Sequence, residues 1–91
     1  MNKLQCGQVV KSKAGRDKDK IFVIIELEGE YAYLVDGNLR RIEKPKHKKT
    51  KHIQPTNNII QEIKDKLEKD MKVTNVDIRR NLALYQMNDL S

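Results

Sequence analysis

Two runs of cations are the residues of this chain whose types and spacing could do chemistry. Lys11, Lys13, Arg16, Lys18 and Lys20 surround Gly15. Arg40, Arg41, Lys44, Lys46, Lys48, Lys49 and Lys51 form the second run, with only Glu43 opposing them. Side chains of this kind neutralise phosphates and release the counterions condensed on a polyanion. Arg16, Arg40 and Arg41 can also fork onto phosphates or stack on bases. Gly15 suits a loop that needs positive φ, or a backbone that must approach a phosphate closely.

Other chemistries find less support. His47 and His52 lie in a Lys-rich segment far from Cys6. A zinc site there lacks a fourth ligand, and neighbouring cations oppose a metal, so phosphate contact or plain exposure is the expectation. Ser12 has no base at motif spacing, which removes nucleophilic catalysis. Asp17 and Asp19 stand amid five cations and read as ordering that loop by ion pairing. Tyr31 and Tyr33 could stack on bases, but their alternation favours core or sheet-face positions. No enzyme activity, cofactor or metal is expected.

The placement of charge carries more than its total. The chain has 91 residues, 19 Lys+Arg against 13 Asp+Glu, and a net charge of +6. Residues 1–54 hold 10 Lys and 3 Arg against 7 acids, whereas residues 55–91 hold 4 Lys and 2 Arg against 6. The whole excess therefore sits in the first part, where a polyanionic partner, nucleic acid or an anionic membrane surface, is the expected cause and a solvated face kept soluble by charge the plainer one. Lys, Asn and Ile are enriched throughout, numbering 14, 7 and 9, and such a bias acts on both parts alike. No apolar run approaches the roughly 18–20 residues of a membrane helix. Met1 to Gly7 has no apolar block to serve as a leader. A single cysteine excludes an internal disulfide framework and fits a reducing cytoplasm.

These cations need elements to position them. Gln8 to Lys13 reads as a short strand around Val9 and Val10. Ile21 to Glu28 is β-branched and aromatic, with Ile21, Val23, Ile25 and Leu27 expected on one face and Phe22 and Ile24 on the other. Gly29-Glu30 supplies a turn, and Tyr31 to Val35 returns. Asp36-Gly37 is a hairpin signal, because a type I′ turn needs positive φ at both central residues. Leu39 to Glu43 follows as a fourth strand, and Thr50 to Ile53 as a short fifth. Four or five short strands in so little chain suggest a small antiparallel barrel, or else an open meander packed on helices. Beyond Pro55, Asn58 with Gln61 resembles a capping box opening a helix to about Asp70, with Ile59, Ile60, Ile63 and Leu67 at helical spacing. Thr74 to Asp77 is a second cap signature, before Ile78, Leu82 and Tyr85, and opens a helix expected to be short.

The run Gly7-Gln8-Val9-Val10-Lys11-Ser12-Lys13-Ala14-Gly15-Arg16-Asp17-Lys18, followed by the apolar strand from Ile21 to Leu27, resembles the KOW motif. The form is that of a group of large-subunit ribosomal proteins and small ribosomal-protein-like RNA binders. Val35-Asp36-Gly37, Leu39 to Lys46 and the Lys- and His-rich run to His52 are similar to this subgroup too, and Asn75 to Arg80 more weakly. At position 19 the subgroup commonly has Gly where this chain has Asp. The resemblance covers about residues 7–54. It implies an SH3-like barrel that binds RNA within a ribosome or transcription complex.

The expectation is thus a mostly β protein: a KOW/SH3-like antiparallel barrel over 1–54, able to fold alone, and a helical C-terminal tail over 55–91. Its expected partner is RNA, ribosomal RNA of the large subunit first, bound by the two cationic runs and Gly15, in the cytoplasm and without a membrane. The alternative is a protein-interaction module of a transcription or translation complex, using the barrel edge or the Ile59/Ile63/Leu67 face of the tail helix. DNA is a third possibility, since backbone contacts suit both nucleic acids.

Overall fold

The computed structural model describes residues 4–89. Residues 1–3, where the leader reading begins, and residues 90–91 of the expected tail lie outside the described residues. Five strands form one antiparallel sheet: β1 (Gln8–Ser12), β2 (Ile21–Glu28), β3 (Tyr31–Val35), β4 (Lys46–Lys49) and β5 (Ile53–Ile59). Two helices follow, α1 (Gln61–Glu68) and α2 (Asn75–Asp89). The sheet order is β4-β3-β2-β1-β5, so β4 and β5 are the two edges and do not pair.

Chain length decides the shape of this sheet. Laid flat, strands at opposite edges of five would stand about 19 Å apart. Only the 3-10 turn Thr50–His52 joins β4 to β5, and three linking residues reach roughly 13 Å at most. The sheet must therefore curl until its edges converge at that turn. Backbone hydrogen bonds tie the corner, from Thr50 N–H to Glu30 O at 2.8 Å and from Lys13 N–H to His52 O at 2.9 Å. The ladder itself stays open.

Both faces of the sheet's centre are covered. Inside the curl, Val10, Phe22, Ile24, Ala32, Leu34 and Ile53 form one buried cluster. On the outer face Val9, Val23 and Val35 pack with Ile63 of α1 and Ile78 and Leu82 of α2. The face expected for Ile21, Val23 and Ile25 is observed, but Leu27 lies with the inner cluster. The β2–β3 register shifts between Ile24 and Glu26, and a bulge there inverts the alternation beyond it.

Three expected elements take other forms. Leu39 to Glu43 is a loop, not a strand. The Asp36 carboxylate accepts from the N–H groups of Asn38 and Arg40, each at 2.8 Å, which holds the chain in a side-chain-stabilised turn instead of a hairpin. Helix α2 then claims the rest of that loop: Asn75 Oδ1 accepts from Ile42 N–H, and Asn75 Nδ2 donates to the Glu43 carboxylate. Thr50 to His52 forms the 3-10 turn, and the fifth strand begins at Ile53. Asn58 does not cap a helix. The chain continues β5 through Ile59 opposite Gln8, and Ile60 N–H donates to Gly7 O before α1 begins at Gln61. Pairing with β1 satisfies those backbone groups in place of the cap.

The second cap signature does form. Asp77 N–H donates to Thr74 Oγ1 at 3.1 Å and Thr74 N–H to Asp77 Oδ2 at 3.0 Å, the reciprocal arrangement of a capping box. Capped in this way, α2 runs to Asp89 and is not short. Lys66 and Arg80 add ion pairs to Asp77 and Glu62 that join the two helices.

The boundary expected before Pro55 falls inside β5, where Pro55 pairs with Val10 on a sheet edge, the place a strand tolerates proline. The radius of gyration, 12.0 Å, matches the roughly 12 Å of one compact body of this length. A fragment of residues 1–54 loses most of β5 and uncovers Val9, Val23 and Val35, each 0% exposed in the whole chain. That fragment is expected to lack a cooperative thermal transition by circular dichroism, against the expectation that it folds alone.

Candidate nucleic-acid interface

The loop between β1 and β2 carries the first cationic run. Gly15, at φ +80°, opens a short 3-10 turn over Gly15–Asp17. Positive φ is what a glycine at that position supplies. Asp19 N–H donates to Ser12 O and Ser12 N–H to Lys20 O, so the loop closes as an extension of the hairpin. Lys11, Lys13, Arg16, Lys18 and Lys20 are all exposed around it.

Asp19 itself sits at φ +72°, the left-handed region that favours glycine. An L side chain there strains the backbone by about 1 kcal/mol, partly offset by the greater freedom that glycine has when unfolded. Asp19→Gly is expected to raise stability by about 0.5 kcal/mol, a gain of roughly 2–4 °C in a melting curve.

The second run meets the first across the curl. In β4, Lys46 and Lys48 point to the inner side, opposite Leu34 and Ala32. Lys48 Nζ donates to Ala14 O at 2.9 Å, and Lys46 Nζ pairs with the carboxylate of Asp17. Asp17 is only 8% exposed, and its Oδ2 makes no well-aligned hydrogen bond, so the Lys46 ammonium is what compensates its charge. The Lys46 ammonium against it holds the Asp17 carboxyl below the usual carboxylate range, against the opposing pull of burial; Arg40 and Lys20 add to the lowering. The ion pairing expected at the loop is therefore made by Asp17, buried beneath the cations.

The thirteen residues singled out from sequence separate accordingly. Lys11, Lys13, Arg16, Lys18, Lys20, Lys44, Lys49 and Lys51 are exposed cations, and Gly15 shapes the loop. Arg40 is half-buried close to Asp17. Arg41 is exposed but pairs with Glu43 at 3.5 Å. Lys46 and Lys48 differ from the other cations of their run: both are half-buried ties between β4 and the β1–β2 loop.

Strand pairing assembles one feature that no single segment shows. On the outer face of β3 and β4, beyond the helices, the His47 ring stacks on Tyr31 at 4.3 Å between centroids and on Tyr33 at 4.8 Å. The signal in the sequence is the alternation Tyr31-Ala32-Tyr33. What it lacks is the register that sets Tyr33 opposite His47.

No group of metal-ligating side chains occurs among the described residues. Cys6 is half-buried beside Leu4 and the inner cluster, and burial pushes its thiol pKa up, away from reactivity. No helix among the described residues is long and apolar enough to cross a membrane. A scan against protein-family models finds no match to this chain, and a search of curated proteins finds none.

Proposed function

We propose that this chain is a non-enzymatic RNA-binding protein of KOW type, an SH3-like barrel associated with the large ribosomal subunit in the cytoplasm. One observation carries the reading: two cationic runs that are distant in sequence meet at one end of the curled sheet. Lys46 and Lys48 of β4 are fastened to Asp17 and Ala14 of the glycine loop. The tie leaves Arg16, Lys18, Lys20, Lys49 and Lys51 exposed around it. A rigid surface with flexible cations at its rim suits phosphates in irregular folded RNA, contacted mainly through backbone and 2′-hydroxyl groups. Convergence of the sheet edges at Thr50–His52 supports the barrel assignment, because a strand layer that curls on itself shields its edges when only five strands are present.

A docking module is the second reading. The observation favouring it is a cleft of about 420 Å³ between the end of β5 and the helices, lined by Ile59, Ile60, Leu84 and Tyr85 together with the polar Asn58, Gln61, Glu62 and Asn81. Leu84 is 52% exposed there. The test is sedimentation of the tagged chain from a cell extract. Association with ribosomes or their large subunit at low salt, released at high salt, is the expected result. Retention at high salt would favour docking through that cleft, and migration at the top of the gradient at low salt would remove the ribosomal assignment.

A further inference from the structure

We infer that the Tyr31–His47–Tyr33 column on the outer sheet face is a stacking site for an unpaired nucleotide of RNA, its phosphate at Lys49 and its base edge toward Glu26 and Glu28. The inference deepens the RNA-binding reading and rests on it. Three rings in contact on a sheet face expose π-surface on which any base can stack, and their cost in conformational freedom is small. His47 is exposed and the two tyrosines are half-buried, so the column is open to solvent.

Charge across the strands orients the ligand. Glu26 pairs with Tyr33 and Glu28 with Tyr31 in the β2–β3 register, so both carboxylates flank the column on one side. The Tyr33 hydroxyl donates to Glu28 Oε1 at 3.3 Å. On the other side, Lys49 pairs with Tyr31 in the β3–β4 register and holds its ammonium 5.9 Å from that ring's centroid. A polyphosphate backbone is repelled from β2 and drawn to β4. A base that takes the place of the Lys49 ammonium over Tyr31 leaves that ammonium beside its own phosphate. Its edge then faces carboxylates, which accept from base amino groups.

The test compares two labelled hexameric chains of equal charge, adenosine RNA and abasic ribose-phosphate, bound at about 50 mM salt where phosphate contacts are strong. Wild type is expected to prefer the adenosine chain by about tenfold or more, the scale of one stacked base. In Tyr31→Leu/Tyr33→Leu that preference should fall below about threefold while affinity for the abasic chain is unchanged. Equal affinity of wild type for both chains overturns the stacking site and leaves the basic end standing. A preference that survives in the cooperatively folded double variant also overturns it. Binding of neither chain overturns both readings. A second measurement needs no variant: in wild-type NMR titrations with the adenosine hexamer, the ring protons of Tyr31, Tyr33 and His47 should shift upfield. Unshifted rings at saturation would place the bases elsewhere.

Discussion

Gly37→Ala is expected to remove about 3 kcal/mol of folding stability, a fall of roughly 12–24 °C in melting temperature. Two costs combine there. Gly37 lies at φ +78°, where an L side chain is strained. A Cβ on it would also stand 2.5 Å from Asn75 O, 2.9 Å from Arg79 Cγ and 3.0 Å from Arg79 N, and the first and last of these are backbone atoms that cannot swing aside. The contact is the seat of α2 on the loop after β3, where Arg79 Nη1 donates to Gly37 O at 2.7 Å. Gly15→Ala is the matched comparison. Its φ is +80°, yet a Cβ there meets only Lys48 Nζ at 3.9 Å, so it should cost only about 1 kcal/mol. Equal melting temperatures for the two variants would mean that α2 does not seat on that loop.

Reversal of Arg16, Lys18, Lys49 and Lys51 to Glu should lower affinity for folded RNA by about a hundredfold or more at 0.1 M salt, and flatten its log–log salt dependence. All four are exposed and make no ion pair among the described residues, so melting should stay cooperative. Lys46→Glu/Lys48→Glu should behave differently and lower the melting temperature, because Asp17 would be left buried without its counter-charge and Ala14 O without its donor. Unchanged RNA affinity in the fourfold variant, measured by anisotropy across a salt series, would reduce the cationic runs to a solubilising surface.

Local chemistry was legible in the chain. The apolar alternation of Ile21 to Ile25 placed β2 with both faces covered, because strand period and side-chain burial are properties of neighbouring residues. Thr74 and Asp77 announced α2 for the same reason: both partners of a capping box lie within four positions. Gly15 matched a left-handed loop position. The failures arise where the deciding partner is distant. Leu39 to Glu43 has the composition of a strand, but its backbone groups are satisfied by Asp36 and by Asn75, which is far along the chain.

By itself the sequence determined that cations concentrate before Pro55, that a β-rich unit precedes two helices, and that a glycine loop sits among the charges. Each follows from composition or from spacings within one element. Tertiary structure alone decided which cations are free. Lys46 and Lys49 are indistinguishable in a charged run, yet the pleat turns one inward to Asp17 and the other outward beside Tyr31. It also decided that the helices are not an appendage, since the valines of the sheet's outer face are buried by Ile63, Ile78 and Leu82. It aligned Tyr31, His47 and Tyr33 as one column as well. Those outcomes depend on strand register and on the bulge after Ile24, where a slip of a single residue moves every later side chain to the other face.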